Sequence, residues 1–370
     1  MKIVFLSNFF NHHQKPFSDE LFRLNSDYYF VETAEVPAEQ KAMGYQTDVN
    51  PSYVLKYSDN KDFCEHLVND ADVVIIGSAP EYLIKNRKKN NKIVIRYWER
   101  LLKKKLTPIS YLRYFVGMHL RTHFWKPIYM LCASAYTARD CRLFGMYVGK
   151  TYKWGYFTEV KKYEDVDALV NAKEKKSILW TSRLISWKHP ELAVELAEYL
   201  IKRKIDFDLN IVGSGNQEDF LKKMIDERNL NNKVHLLGMM KNMQVRSMME
   251  KSEVFISTSD RQEGWGATIN ESMSSACAVV ADRQIGSVPF LIQDGVNGFV
   301  YNNKKEFFEK VEMLLSNDGI RKNISRNAYK TMRNDWSPEI AAIRFLNLAE
   351  KLIKFGKCDC FDKGPCSRAV

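Results

Sequence analysis

VFISTSDRQEGWGATINESMSSACAVV, residues 254–280, is the stretch that decides the fold. It opens on a short apolar run that suits a buried strand, crosses a polar loop, and reaches EGWG at 263–266 just ahead of a helix-compatible segment and a second apolar run at 279–281. Strand, loop, helix and strand in that order are the unit of a parallel sheet covered by helices. Gly264 and Gly266 flank Trp265 and let the backbone approach a ligand closely. A helix starting near Ala267 aims unpaired N–H groups and the positive end of its dipole at whatever sits there. That is an anion site, most naturally for a diphosphate. Glu271 falls one turn into the helix, where its carboxylate can accept hydrogen bonds from a ribose diol, and Glu263 lies ahead of the helix, where a carboxylate can grip sugar hydroxyls. Either glutamate alone reads equally well as a surface acid beside a glycine-bearing connection.

Working outward, TSRLISWKHP at 181–190 is a second anion candidate between a strand and a helix. The guanidinium of Arg183 and the ammonium of Lys188 can neutralise two phosphate groups, and the end of the first strand of a Rossmann half is where such ligands bind. A surface Arg and Lys would account for the pattern about as well. VGSG at 212–215, with Gly213, and LGMM at 237–240, with Gly238 and Met239, end two further strands in small or flexible residues, so several strand ends converge on one rim. Strands are expected at 3–6, 73–76, 93–96, 178–181, 209–212, 234–236, 254–256 and 279–281, with helices between them. The clearest helix is 190–203, with Pro190 in its first turn and Leu192, Leu196, Ala197 and Leu200 on one face. A terminal helix over 337–354 opens on Ser-Pro.

A chain of 370 residues exceeds what one core supports, so two domains are expected. The polar stretch KYEDVDALVNAKEK at 163–176 marks the junction. The fold class is therefore α/β with two Rossmann-like domains. The boundaries fall at 1–160 for the N-terminal domain, 161–336 for the C-terminal domain and 357–370 for a tail, with a helix over 337–356 between the last two. No repeat of fixed period is visible.

At 45% apolar, 27% charged and 12% aromatic, the composition is that of an ordered globular protein rather than a disordered chain. The chain opens directly on the apolar run KIVFL and shows no secretory leader, and no segment approaches the length of apolar chain needed to span a bilayer, the nearest being the short run at 127–136. A cytoplasmic protein that meets membranes only from the surface is expected. Seven cysteines, an odd number, argue against a disulfide framework. Cys358, Cys360 and Cys366 lack the paired spacing of a metal site, so the tail is expected to fray and to bind no metal. The net charge of +11 is uneven. Residues 85–126 hold thirteen Lys or Arg, among them Lys85, Lys103, Lys104, Lys105 and Lys126, against one acid, Glu99, for a net +12. Aromatic residues are interleaved, a mixture suited to an anionic lipid surface or to nucleic acid, with a solvated helix face as the plainer alternative.

The C-terminal half resembles the glycosyltransferase group 1 family, family 4 of the retaining enzymes with the GT-B fold. The likeness runs over about 177–336, and its markers occur in order: Ser182, Arg183, Leu184 and Lys188; IVGSG at 211–215; HLLG at 235–238; the Glu263 and Glu271 pair; and DGVNGF at 294–299. The resemblance implies two Rossmann-like domains facing across a cleft, a C-terminal helix crossing back to an N-terminal acceptor domain, and retaining transfer of a hexosyl group from a nucleotide sugar. It implies that Arg183 and Lys188 hold the donor diphosphate, Glu271 the ribose, Glu263 the transferred sugar, and the backbone after Gly238, at Met239, the base. No Asp-x-Asp motif is present, so the donor is expected to need no metal and the protein no cofactor.

The N-terminal half says less. Where the family often carries a glycine-rich loop, this chain has SNFFNHHQKP at 7–16. The adjacent His12 and His13 at a strand's end could stabilise a leaving phosphate or orient an acceptor hydroxyl, and His13 is taken as the catalytic candidate. The expected partners are a nucleotide-sugar donor, a glycan or lipid-linked acceptor and an anionic membrane surface reached through residues 85–126, with polysaccharide synthesis at the inner membrane face as the setting. The rivals are a protein that binds nucleic acid or another polyanion through the basic stretch, and a sugar-nucleotide epimerase of the same fold.

Overall fold

A computed structural model describes residues 1–37, 51–104, 107–122 and 126–370. The chain forms two compact units, Met1–Thr158 with Trp336–Val370, and Glu159–Asp335. In the first, strands β1 (Ile3–Ser7), β2 (Tyr28–Glu32), β3 (Val54–Lys56), β4 (Val73–Ile76), β5 (Ile93–Trp98), β6 (Ile128–Cys132) and β7 (Thr151–Lys153) form one sheet in the order β3-β2-β1-β4-β5-β6-β7. In the second, β8 (Glu174–Thr181), β9 (Asp208–Val212), β10 (Val234–Leu236), β11 (Ser252–Ser257), β12 (Ala278–Asp282) and β13 (Phe299–Tyr301) run in the order β10-β9-β8-β11-β12-β13. Every pairing is parallel. Each sheet winds outward both ways from its first strand, so its topological switch points lie between β1 and β4 and between β8 and β11, where open α/β sheets bind ligands beyond the strand ends.

Central strands read as unbroken apolar runs because helices cover both faces of a parallel sheet. All of β1, β4, β6 and β11 is buried. All eight expected strands are present. The apolar run at 127–136 contains β6, a fully buried sheet strand, and no helix among the described residues is long and apolar enough to cross a membrane. The helix expected at 190–203 spans Glu191–Lys202 with Pro190 as its N-cap, and it buries Leu196, Ala197 and Leu200 against Ile178 and Leu209. The terminal helix is Pro338–Phe355, capped by Ser337, whose Oγ accepts from the Ile340 N–H. It packs within the first unit on the helix Lys15–Leu24, with the rings of Phe345 and Phe17 perpendicular at 6.0 Å and Trp154 beside both.

Three expectations change. The polar stretch at 163–176 is structured: Asp165 caps the helix Val166–Asn171 through the amides of Asp167 and Ala168, and Glu174 already begins β8. Lys173 is buried and donates to the carbonyls of Met249, Glu250 and Ser275, each at 3.0 Å, so a lysine that looks like linker polarity closes the ends of two helices. The tail does not fray. Backbone bonds from Cys366 to Lys153, from Lys153 to Ser367 and from Ala369 to Thr151 lay it along β7, where it covers a sheet edge, with Cys358 and Cys366 buried and Cys360 exposed.

The basic stretch is the third. Arg87 is fully buried and donates to the carbonyls of Val68, Ala71, Asp72 and Ile93, and Arg96 is buried in a two-bond pair with Glu81. Two of the thirteen cations are therefore interior struts. Lys85, Lys89, Lys104 and Arg113 stand exposed, and Lys105 lies outside the described residues. The helix Pro108–Thr122 adds what composition did not show: Ile109, Leu112 and Val116, at helical spacing on one face, are 75%, 63% and 50% exposed.

Candidate active site

The site is built at the ends of β10, β9, β8, β11 and β12, stitched together by backbone bonds. The Gly213 N–H donates to Gly238 O at 2.8 Å, the Ser182 N–H to Val212 O at 3.1 Å, and the Leu184 N–H to Ser214 O at 2.9 Å. Gly213 has φ +144°, and a Cβ there would stand 1.8 Å from Ser182 O. Only glycine lets the loops after β8 and β9 approach this closely. Met239, just past Gly238, is 63% exposed at the outer end of this rim, where its backbone can be approached.

Loop 182–190 is then tied to the loop after β11. Trp180 Nε1 donates to Thr258 Oγ1 at 2.8 Å, and Thr258 Oγ1 donates to Lys188 O at 2.7 Å. The Asp260 N–H donates to Trp187 O at 3.0 Å. These bonds turn Ser186–Lys188 into a short 3-10 helix that ends at His189 in a left-handed conformation, φ 49°. The His189 imidazole sits between Glu191, at 2.8 Å, and Asp260, at 3.6 Å, and its pKa is raised, first by the bond to Glu191. Lys188 is buried and forms an ion pair with Glu263. Arg183 is exposed, its guanidinium 5.7 Å from the Trp187 ring, and Lys188 lies 4.4 Å from the same ring.

The helix expected near Ala267 is Ala267–Ser274. Gly266 precedes it at φ +86° with no side-chain cap, and a Cβ there would meet Ile285 at 2.9 Å and Glu263 at 3.3 Å. The first-turn N–H groups thus open beside Glu263, as an anion site requires. Gly264 is buried in the same loop. Trp265, expected among the donor-binding residues, is fully buried: its Nε1 donates to Asn270 Oδ1 at 2.8 Å and its carbonyl accepts from the Ser287 N–H at 3.0 Å, so it anchors the loop from inside. Glu271 is partly exposed, and burial pushes its carboxyl pKa up while Arg246 opposes the shift. Arg246 donates to Glu271 O at 2.6 Å and to Ser274 Oγ at 2.9 Å, fixing this turn of the helix.

The fold thus brings Arg183, Lys188, Gly213, Met239, Glu263, Gly264, Gly266, Ala267 and Glu271 onto one sheet's C-terminal edge. His13 belongs to the other unit, in the loop after β1. Its ring stacks on Tyr156 at 5.4 Å and meets His12 at 3.9 Å. Burial, and next the neighbouring His12, lower its pKa to about 3, so at neutral pH it is an uncharged imidazole. Arg246, Thr258, Asp260 and Asn270 were not singled out in the sequence. Arg246 and Asn270 act through partners packed against them in space, and no local pattern announces that.

Two Rossmann-like units, one with a helix-start anion site flanked by paired carboxylates and cations, define a GT-B-type fold. Residues 161–331, most of the C-terminal unit, match the family described as glycosyl transferases group 1. A poly(ribitol-phosphate) alpha-N-acetylglucosaminyltransferase of Staphylococcus aureus is 31% identical over 170 residues, 45% of this chain and 34% of that protein. A poly(glycerol-phosphate) alpha-glucosyltransferase of Bacillus subtilis is 31% identical over 159 residues, 42% of this chain and 23% of that protein. The matched segments thus span about a third or less of these relatives. Among solved structures, a Rickettsia africae glycosyltransferase superposes with a TM-score of 0.69 at 18% identity, covering 96% of this chain and 99% of that one. Anabaena HepE in complex with UDP gives 0.68 at 16% identity, covering 95% and 100%. At such identities the likeness is one of fold.

Proposed function

We propose that the protein transfers a sugar, with retention, from a nucleotide-diphosphate donor held by the C-terminal unit to a glycan or lipid-linked acceptor read by the N-terminal unit. The observation that carries this is the Lys188–Glu263 ion pair beside the uncapped start of Ala267–Ser274. The carboxylate neutralises the buried ammonium. An arriving diphosphate takes over Lys188 and the helix N–H groups, which frees Glu263 for the hydroxyls of the transferred sugar. As the glycosidic bond breaks, Lys188, Arg183 and the helix dipole offset the charge growing on the leaving diphosphate. Glu271 holds the ribose and the backbone at Met239 the base. Fold likeness to a protein solved with UDP and partial similarity to two polymer-modifying transferases support a uridine nucleotide as the first donor to try.

The test is incubation with UDP-glucose and UDP-N-acetylglucosamine, with and without acceptor glycans. Transfer dependent on acceptor is expected, and it should persist in excess chelator because side-chain cations and backbone dipoles stand where a metal would. Release of an altered nucleotide sugar without acceptor would replace this reading with epimerisation. Activity lost in chelator and restored by magnesium or manganese would remove the metal-independent part.

We place the acceptor at the inner face of an anionic membrane. Ile109, Leu112 and Val116 form an exposed apolar stripe with Arg113 beside it and Lys104 just ahead of the helix, the combination by which helices lie in a lipid interface. Each cation near such a leaflet contributes about 1 kcal/mol, screened over about 10 Å at 0.1 M salt. Cosedimentation with anionic liposomes at low salt is expected, weakening as salt rises and falling severalfold when Lys104, Leu112 and Arg113 are changed to Ser. Wild-type protein that ignores anionic liposomes at low salt, or a triple variant that binds as well, would sink this placement. Preferential binding to RNA would favour the polyanion-binding rival.

A further inference from the structure

The basic segment contains one acid, and the fold puts it where the first sheet binds ligands. Glu99 follows β5 directly, at the C-terminal edge of the sheet. The loop holding it is anchored from behind: the amides of Leu101 and Leu102 both donate to Asp140 Oδ2 at 2.9 Å. The Tyr156 hydroxyl donates to Glu99 Oε1 at 2.6 Å, and Lys103 Nζ donates to Oε2 at 2.6 Å. Tyr156 comes from the segment after β7, and its ring packs between Tyr97, edge-on at 6.2 Å, and His13, stacked at 5.4 Å. His13 lies in the loop after β1, one wall of the switch point. Its other wall is Gly77, where a Cβ would stand 3.2 Å from Ser7 Oγ. Tyr156 therefore joins the loop after β1, through His13, to the Glu99 carboxylate after β5, which keeps 28% of its side-chain surface exposed.

We infer that Glu99, held by Tyr156, whose ring stacks on His13, is a saccharide-hydroxyl subsite that positions the acceptor sugar. The inference rests on the transferase reading above and names the residues that would read its acceptor. An ionised carboxylate offers about four acceptor positions, and Tyr156 and Lys103 occupy two. The remaining pair suits a vicinal diol, which donates two hydrogen bonds to one carboxylate. The Tyr156 and His13 rings stack beside it and supply apolar surface of the kind that the C–H face of a pyranose covers. The carboxylate disfavours an anionic ligand group at this point.

The experiment uses the full chain and three probes, methyl α-glucopyranoside, methyl β-galactopyranoside and methyl N-acetylglucosaminide, observed by saturation-transfer NMR, with UDP binding measured separately by calorimetry. At least one glycoside is expected to bind wild type. Glu99→Gln keeps acceptor and donor atoms for Tyr156 and local packing but removes the charge, and should weaken that glycoside at least tenfold. Tyr156→Phe, which leaves the carboxylate unoriented, should weaken it about threefold to tenfold. Both variants should bind UDP as wild type does and melt within a few degrees of it. No glycoside binding by wild type, or equal binding by Glu99→Gln, overturns the subsite. Glycoside binding that depends on Glu99 with no UDP binding supports the subsite and overturns the donor reading instead.

Discussion

Glu263→Gln is expected to lower kcat by roughly 10²–10³-fold, a loss of the size seen when one preorganised group that meets developing charge is removed, while UDP affinity changes little. Glu263 sits ahead of the helix start and touches Lys188, and in the proposed function it holds the transferred sugar, so its loss is expected to fall on the reacting end of the donor. The amide keeps the size of the side chain and can still accept from Lys188, which avoids stranding a buried ammonium. Glu271→Ala should behave in the opposite way. It removes the carboxylate proposed to accept from the ribose hydroxyls, worth about 1.5–3 kcal/mol, or roughly 10–100-fold in UDP affinity, with a smaller effect on kcat at saturating donor. Calorimetry with UDP and initial rates at saturating donor separate the two. Equal and small effects from both substitutions would remove the carboxylate assignments.

Gly213→Ala is expected to destabilise the C-terminal unit by more than about 3 kcal/mol and to abolish nucleotide binding with it. The added methyl would sit 1.8 Å from Ser182 O, a contact that only a backbone shift can relieve, and that shift would pull loop 182–190 out of register with β9. Gly238→Ala is the internal comparison. Gly238 also has positive φ, +69°, but nothing lies within 4 Å of its Cβ position, so only the left-handed backbone cost of about 1–2 kcal/mol applies. For a unit of this size each kcal/mol moves Tm by about 2–4 °C, so calorimetry should show Gly213→Ala melting roughly 10 °C below wild type and Gly238→Ala falling much less. Similar melting of the two variants would mean that the close approach at Ser182 does not constrain the rim.

Much of the donor site was legible because its chemistry is local. Residues 263–271 carry glycines, helix start and both carboxylates within a dozen positions, and the backbone geometry of such a motif follows from the residue types themselves. The strands at 73–76 and 254–256 were legible for a similar reason, since a strand buried on both faces must be apolar throughout. β2, β3, β6, β7 and β13 escaped, β6 although it lies within the apolar run noted at 127–136. β3, β7 and β13 are three residues each at sheet edges, too short to set up a period, and YYFVE of β2 lacks an unbroken aliphatic run. The burial of Trp265 was not legible because position in a glycine-bearing loop says nothing of which way a ring turns; Asn270, five residues on, turns it inward.

By itself the sequence determined the class of the protein: alternating apolar runs and amphipathic helices can bury their faces only as parallel sheets wrapped by helices, and 370 residues divide into two such cores. It also marked the candidate anion site after β11, because glycine backbone freedom and a helix start are properties of neighbouring residues. Only the tertiary structure decided that Lys188 pairs with Glu263 across 75 positions, that Arg87 and Arg96 are buried struts, and that Glu99 is gripped by Tyr156 from 57 positions away. Charge and hydrogen-bonding capacity are written in each residue, but whether they face solvent, a ligand or a buried carbonyl depends on which segments the sheets bring together. That choice is made by packing over the whole chain, and no short stretch of it carries the answer.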